Sequence, residues 1–344
     1  MESRGAFGKC FTELITKMAV HGRIFGSSSF ASRAKRALER IISDRTWRRF
    51  YAQRFVRIPT IRKIVSRQIA RHLPPASLTE LDAEARRHIF NLRKQGITII
   101  RDTSQRDVDN LRDYLRQQQC VDPDWPATAF VWPSGAGRGC VHAYYPIETL
   151  LAAPEVLRLA NSSQILQLVE NVFCCVPTIS EINCWWLRHD FDFEAAKVRH
   201  DFYVATRKNY HRDIDDWSVL RYFIYLTDVD KQHGPHSYIP GSHNRTLNHR
   251  RGVDLDKVYR DLYDERIDVT GPAGTGILMD PFGLHRGMVP TAGDRLILAV
   301  SYSLGTTNYA APKSPPLQSS EMDFDPFINR LFVQCKYGLQ REKL

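Results

Sequence analysis

The sequence predicts a mainly β fold, a barrel or sandwich of short strands that is buttressed by helices. From residue 179 onward, short runs of Val, Ile, Leu and aromatic residues are separated by Gly and Pro, a pattern typical of strands joined by turns. Before that point, apolar residues recur at helical spacing. Helices that lead into many short strands are typical of a β core packed against a helical layer.

The individual strands can be read from this punctuation. A short apolar strand is expected over residues 96–100. The later strands are expected at residues 179–187, 203–211, 219–227, 236–240, 267–270, 275–279, 285–289 and 295–304.

The helices are predicted from their start signals and apolar spacing. Residues 77–80 (Ser-Leu-Thr-Glu) resemble a capping box that opens a helix running to about Lys94. Further helices are expected over residues 104–118 and 154–173. Residues 31–72 also have a helical composition, which Pro59 is expected to divide into two helices.

Positive charge is concentrated at the start of the chain. The net charge is +10, but residues 1–76 hold 17 Lys and Arg against 4 Asp and Glu, a charge of +13, which leaves −3 for the rest. A basic amphipathic helix within residues 31–72 suits either an anionic membrane surface or a solvated face packed on the core. No recognisable nucleic-acid-binding motif accompanies the arginines, so nucleic acid is not expected as a partner.

Composition narrows the protein class. Hydrophobic residues make up 43% and charged residues 25%, as in ordinary globular proteins. No apolar run is long enough for a transmembrane helix. The seven cysteines form no Cys-x-x-Cys pair, which disfavours a disulfide framework or a zinc site. We therefore expect a reduced, cytoplasmic setting, with peripheral contact to a membrane as an option.

A candidate metal site lies in Tyr210-His211-Arg212-Asp213 and in the later segment that contains His285. On a strand, residues two apart point to the same face, so His211 and Asp213 could bind one ion and His285 could complete the set. Two histidines and one carboxylate on one side of a metal leave the opposite positions open. This is the ligand set of non-haem Fe(II) oxygenases.

Arg295 suggests the co-substrate. It lies ten residues after His285, at the start of the apolar strand Leu296–Val300. Such oxygenases need an electron source, and 2-oxoglutarate supplies two electrons while its distal carboxylate requires a fixed two-pronged cation. Arginine at the head of an apolar strand is suited to that task, although a surface ion pair is the alternative.

Together these residues resemble the phytanoyl-CoA dioxygenase family of Fe(II)/2-oxoglutarate oxygenases. The similarity spans roughly residues 77–305 and includes the strand at 96–102, His211-Arg212-Asp213, the Pro-Gly-Ser-His stretch ending at His243, and His285 with Arg295. It implies a double-stranded β-helix, the jelly-roll or cupin-like core of that family. The expected organisation is a basic helical extension over 1–76, a dioxygenase domain over 77–310 and a C-terminal tail over 311–344 that packs on the core.

The resemblance also implies roles for individual residues. His211, Asp213 and His285 would bind Fe(II), and Arg295 would anchor 2-oxoglutarate, with O2 as the second co-substrate. Phe223 and Tyr225 would line the co-substrate pocket, with core packing as the alternative, and Trp185 is a further candidate. His243 is interpreted as a structural residue, His189 and His200 lie in a polar loop before the motif, and His233 and His236 could face the substrate mouth.

The sequence departs from the family pattern in two places. Arg295 follows the distal histidine by ten residues, where many relatives have about one more, and Gly287 stands where a hydroxyl donor is common. Asp213 is retained, which disfavours the halogenase variant that lacks this carboxylate.

The implied activity is hydroxylation of an unactivated C–H in a small molecule, with release of succinate and CO2. The expected substrate mouth, residues 121–150 and 188–209, combines cations and aromatic residues, which indicates an anionic or amphipathic substrate. These residues are Trp132, Arg138, His142, Tyr144, Arg188, Arg199, Arg207 and Lys208. The alternative is a catalytically silent barrel that binds a membrane surface or a partner through its basic N-terminus.

Overall fold

The structure is a computed structural model. It describes residues 56–77, 80–123, 128–137, 139–191, 210–214, 216–246, 264–305, 317–318 and 324–334. The helices of this part are α1 (Pro59–Ala70), α2 (Ala83–Lys94), α3 (Gln105–Leu115), α4 (Ile147–Ala152), α5 (Pro154–Ala160) and α6 (Ser163–Phe173).

The strands of the described part follow the same chain order. They are β1 (Ile97–Ile100), β2 (Gln119–Val121), β3 (Ala129–Val131), β4 (His142–Tyr144), β5 (Thr178–Leu187), β6 (Val219–Tyr225), β7 (His236–Tyr238), β8 (Ile267–Val269), β9 (Gly276–Met279), β10 (His285–Gly287), β11 (Arg295–Ser303), β12 (Leu317–Gln318) and β13 (Val333–Gln334).

Two of the predicted helices are wrong in their limits. The helix expected after Ser77 begins at Ala83, because Asp82 is the N-cap and its side chain accepts from the Ala85 amide at 2.7 Å. The single helix expected over 154–173 is two helices, since the chain leaves helical geometry at Asn161 and Ser162 before α6 starts.

Most predicted strands are confirmed to within a few residues, but the one expected at 203–211 is not. Residues 201–209 lie outside the described part of the chain. His211 forms only an isolated antiparallel bridge with His285, and Asp213 follows in irregular structure. The expectation that a regular strand carries both ligands is therefore wrong.

The main sheet has eight strands in the order β1-β9-β6-β11-β5-β4-β2-β3, and every pairing is antiparallel. One face, which carries Leu298, Ile224 and Tyr222, packs against apolar residues of α2, α3, α5 and α6. These helices are the buttress that the sequence predicted.

The opposite face of the main sheet packs against a smaller antiparallel sheet of order β10-β7-β8. Phe223, Ile277 and Ala299 from the main sheet share one buried cluster with Tyr238 and Val269 from the smaller sheet. Two antiparallel sheets that face each other across such a core, with helices outside one of them, form a double-stranded β-helix with jelly-roll character.

Segments at both ends of the described chain pack on this core. Val65 of α1 lies in a cluster with Trp217 and Phe282. Near the other end, the Ile328 carbonyl accepts from the Ile179 amide at 2.9 Å and Phe332 is buried.

Within the described residues, no helix has the length and apolar character needed to cross a membrane.

Candidate metal centre

Three potential metal ligands meet between the two sheets. One ligand atom from each of His211, Asp213 and His285 lies within 4.8 Å of the others. The His211 Nε2 atom is 3.7 Å from Asp213 Oδ1, and the His285 Nε2 atom is 3.5 Å from Asp213 Oδ2. Because the set consists of three donors, it could hold an ion while leaving other coordination positions free.

Backbone hydrogen bonds hold the ligands together without a regular strand. His211 and His285 exchange both backbone bonds, at 2.9 and 3.0 Å, and their rings lie 4.4 Å apart. The Asp213 amide donates to the Pro281 carbonyl at 2.9 Å. The spacing of two residues thus brings both side chains of the first motif to one side, although only His211 is in a bridge.

The orientation of the His285 ring follows from its second nitrogen. Nδ1 lies 2.9 Å from the Gly283 carbonyl oxygen. A carbonyl oxygen accepts and never donates, so Nδ1 carries the proton in this contact. The lone pair is therefore left on Nε2, which faces Asp213, and this arrangement is the usual one for a metal-binding histidine.

Arg221 holds the carboxylate of Asp213. Its Nη1 donates to Asp213 Oδ2 at 2.6 Å, its Nη2 to Glu181 Oε2 at 3.1 Å, and its Nε to the Ser301 hydroxyl at 3.0 Å. Burial by itself would raise the pKa of Asp213, but the positive charge of Arg221 and the contacts with His285 and His211 hold that pKa well below its usual value. The carboxylate is thus kept ionised.

Sequence reasoning missed Arg221, although a signal was present. It lies in the apolar strand β6, two residues before Phe223, and its pairing partners Ser301 and Met279 place it on the face toward the smaller sheet. The reasoning applied to Arg295, that an arginine within an apolar strand has a buried task, applies equally here.

Arg295 is buried beside the strand that carries His285. The residue is 3% exposed, and Nε and Nη1 have no hydrogen-bond partner among the described residues. A β-carbon added at Gly287 would lie 3.0 Å from its Nη2. Burial lowers the pKa of the guanidinium, while its hydrogen bond to Tyr225 opposes that effect. Two donor nitrogens without partners on a buried cation fit the carboxylate of a small acid.

Tyr225 and Phe223 both face the space between the sheets, but they differ in their contacts. The Tyr225 hydroxyl accepts from the His236 amide at 2.8 Å, donates to the Val269 carbonyl at 2.9 Å and is bonded to Arg295. The Tyr225 hydroxyl is therefore fully hydrogen-bonded, and one of its three partners is the Arg295 guanidinium. The Phe223 ring lies 4.9 Å from His236 and 6.2 Å from Trp185, so it contributes to an apolar wall.

His236 lies closer to the centre than the sequence indicated. It is 4% exposed, and its ring lies 5.7 Å from that of His285. Burial, together with the positive charge of nearby Arg295, holds the pKa of His236 well below its usual value. A neutral imidazole is the expected form.

A second group of potential ligands has internal partners. His189 Nδ1 lies 2.7 Å from Asp294 Oδ1, and Arg188 pairs with Asp190 at 2.5 Å. The other oxygen of Asp294 accepts from the Trp132 indole at 2.9 Å. These contacts join three loops, so hydrogen bonds between the loops explain why the three side chains lie together.

Comparison with known proteins decides the family. The model of the phytanoyl-CoA dioxygenase (PhyH) family matches residues 69–288. The chain belongs to the phytanoyl-CoA dioxygenase family. It is therefore a dioxygenase that depends on Fe(II), 2-oxoglutarate and O2, and the donor set and the buried cation described above fit that requirement.

Several solved structures are similar to this chain. The apo form of EctD from S. alaskensis is 18% identical, with a TM-score of 0.48 over 76% of this chain and 91% of that one. HygX from Streptomyces hygroscopicus, solved with nickel, 2-oxoglutarate and hygromycin B, is 20% identical, with a TM-score of 0.45 over 74% and 96%. The carbocyclase SnoK from nogalamycin biosynthesis is 21% identical, with a TM-score of 0.44 over 66% and 86%. A search of curated proteins finds no match.

Proposed function

We propose that this dioxygenase hydroxylates an unactivated C–H bond of a small amphipathic or anionic molecule and releases succinate and CO2. In this proposal His211, Asp213 and His285 bind the iron, and Arg295 binds the distal carboxylate of 2-oxoglutarate. The observation that carries it is the convergence of the three ligand atoms within 4.8 Å in a chain of this family.

The side chains around the centre have separable tasks. With iron and 2-oxoglutarate bound, the centre supplies the oxidant that attacks the C–H bond. Arg221 fixes the Asp213 carboxylate, and the Gly283 carbonyl fixes the His285 ring. Arg295, held by Tyr225, offers its unpaired N–H groups to the distal carboxylate. The buried cluster around Phe223 and Ile277 keeps water away from this region.

The residues beside the ligands favour an amphipathic substrate. Tyr144 and Trp185 stack at 5.5 Å, and Trp185 meets Phe223 edge-on, which gives an aromatic wall on the face toward the smaller sheet. Glu181 on the same face has a side chain that is 35% exposed, so a polar group lies beside that wall.

Two residues of the expected mouth have other partners. Trp132 is buried and stacks on Trp186 at 5.7 Å, while Arg188 binds Asp190 and the carbonyls of Ala136 and Gly137. Arg138, Arg199, Arg207 and Lys208 lie outside the described residues. The proposal of an anionic substrate rests on those four. If charge reversal of Arg199, Arg207 and Lys208 leaves turnover intact, the proposal of an anionic substrate is wrong.

The activity is tested with purified protein, Fe(II), ascorbate and labelled 2-oxoglutarate. Slow succinate formation is expected without substrate. Asp213→Ala should abolish it, whereas Asp113→Ala, an exposed carboxylate on α3, should not. Small molecules that accelerate succinate release are then analysed by mass spectrometry. A product that gains one oxygen atom supports hydroxylation, and a product that only loses hydrogen contradicts it.

A peripheral contact with anionic membranes is a separate proposal for the N-terminal region. Residues 31–55 lie outside the described part, but the exposed side of α1 presents Ile64, which is 52% exposed, between Lys63 and Arg67. Exposed apolar and cationic groups together suit an anionic lipid surface. Reversing the charge of Lys63 and Arg67 should reduce co-sedimentation with anionic vesicles and leave neutral vesicles unaffected. Unchanged binding to anionic vesicles would refute this contact.

A further inference from the structure

The turn between β9 and β10, residues 280–283, contacts two of the three proposed metal ligands. Its Pro281 carbonyl accepts from the Asp213 amide at 2.9 Å. Its Gly283 carbonyl accepts from His285 Nδ1 at 2.9 Å. We call residues 280–283 the ligand turn. The position of the Asp213 backbone and the orientation of the His285 ring both depend on where this turn lies.

Asp280 organises the ligand turn. Its Oδ1 accepts from the Phe282 amide at 2.9 Å, and its carbonyl accepts from the Gly283 amide at 3.0 Å. The Tyr238 hydroxyl of the smaller sheet also donates to that carbonyl, at 2.9 Å. The carboxylate lies mostly buried, with a side chain that is 16% exposed. A charge in such a place needs a partner.

That partner is Arg62, from helix α1. Its Nη1 lies 3.1 Å from both oxygens of Asp280, and its Nη2 donates to the His243 carbonyl at 3.1 Å. The guanidinium also stacks over the Phe282 ring at 3.9 Å. Arg62 itself is 5% exposed. One side chain thus binds two members of the ligand turn and the segment next to it.

Helix α1 also contacts the chain segment that follows Asp213. Ser66 Oγ donates to the Trp217 carbonyl at 2.8 Å, and Val65 packs against Trp217 and Phe282. Trp217 follows Asp213 by four residues. The inward face of α1 therefore supports both chain segments that supply Asp213 and His285.

We propose that α1 is a structural part of the metal centre, and that Arg62 is a positioning residue which sets metal affinity through the ligand turn. The proposal rests on the assignment of His211, Asp213 and His285 as ligands. Residue 62 lies before residue 69, where the match to the family model begins. The family match by itself therefore assigns Arg62 no role.

The test compares metal affinities of full-length variants. Co(II) is titrated anaerobically into the metal-free protein and followed by calorimetry and by its absorption spectrum. Arg62→Met should weaken binding by about tenfold to a hundredfold, as expected for loss of a group that orients ligands. Arg62→Lys should restore only part of the affinity, because one ammonium cannot bind Asp280 and His243 as a guanidinium does. Arg71→Met, at an exposed arginine that is the C-cap of the same helix, should leave affinity and spectrum unchanged.

Two further variants separate the possible failures. Asp213→Ala should abolish tight binding, and if it does not, the ligand assignment is wrong independently of Arg62. Asp280→Asn keeps an acceptor for the Phe282 amide but loses the charge, so it should weaken Co(II) binding even if Arg62→Met fails to fold. Thermal unfolding of the metal-free proteins supplies the remaining comparison. If the Arg62 and Asp280 variants unfold at lower temperature yet bind Co(II) as the unaltered protein does, the residues stabilise the fold alone and the proposal is overturned.

Discussion

Arg221 Nη1 lies 2.6 Å from Asp213 Oδ2, so a protein cation is bound to a carboxylate that we propose as an iron ligand. The same guanidinium binds Glu181 at 3.1 Å. Two carboxylates thus share one arginine. A bound metal ion would be a second positive charge for Asp213, which makes the two cations partly interchangeable for stability.

Arg221→Met should therefore lower the free energy of unfolding of the metal-free protein by about 3 kcal/mol, mainly because the largely buried Asp213 carboxylate loses its cation, while the more exposed Glu181 contributes less. Saturating Co(II) should recover part of that loss. Urea unfolding with and without Co(II) measures both effects. Arg116→Met is the matched control, since that side chain is 56% exposed and its closest carboxylate contact is at 4.0 Å. Equal unfolding free energies for Arg221→Met and the unaltered protein would contradict this relationship.

Arg295→Met should separate co-substrate binding from stability. Nε and Nη1 of this buried residue have no hydrogen-bond partner among the described residues, and we propose that they bind the distal carboxylate of 2-oxoglutarate. The variant loses these donors and should bind 2-oxoglutarate about a hundredfold more weakly. Its free energy of unfolding without 2-oxoglutarate should not fall, because an incompletely paired cation leaves the interior. Calorimetry on the Co(II)-loaded protein and urea unfolding give the two values. Arg295→Lys should lie between, as it keeps the charge without the two-pronged geometry. A loss of stability with unchanged 2-oxoglutarate affinity would assign Arg295 to the core.

Gly287→Ala should impair co-substrate binding specifically. The new β-carbon would lie 3.0 Å from Arg295 Nη2, so the guanidinium would have to move. We expect a several-fold higher KM for 2-oxoglutarate in the succinate assay, with unchanged Co(II) affinity. Gly137→Ala is the control, since a β-carbon there meets nothing within 4 Å. Identical KM values for the two variants would show that Arg295 adjusts without cost.

His236 should make the metal-free protein sensitive to mild acid. Its pKa in the folded state is well below the usual value, mainly because of burial, so near pH 6 the unfolded chain binds a proton that the folded chain does not. Stability should therefore decline as pH falls through the unfolded-state pKa of about 6.5, with a limiting slope of about 1.4 kcal/mol per pH unit from this residue.

Unfolding free energies of metal-free protein between pH 5 and pH 8 measure that slope. His236→Gln should flatten it, because the buried titrating group is gone. His72→Gln, at an exposed position, should leave the slope as it was. A slope that is the same in all three proteins would mean that His236 takes up a proton without cost.

The local sequence pattern predicts the position of a strand well where the residues of that strand alone determine its burial. Apolar runs between Gly and Pro placed β5, β6, β9 and β11 closely, because the residues of a strand in a β core are selected for burial along its own length. The same locality explains the errors. The capping-box pattern at Ser77 competed with Asp82, which is an equally good N-cap, and only the packed structure shows which residue begins the helix.

The candidate site divides in the same way. His211, Asp213, His285 and Arg295 were found because their types and order resemble a known family, and the structure brings the three ligands together. Phe223 and Tyr225 were expected in the co-substrate pocket. The structure places both between the sheets, with Tyr225 bonded to Arg295. Their role in binding 2-oxoglutarate remains a prediction.

The sequence by itself determined the types of ligand, their spacing and the alternation of strands and turns, because these are properties of neighbouring residues. Tertiary structure alone decided that Arg221 binds Asp213, that His236 lies beside His285 and that Arg62 holds the ligand turn. Arg62 and Asp280 are 218 positions apart. No local pattern links two such residues, because their contact exists only after α1 and the two sheets have packed together.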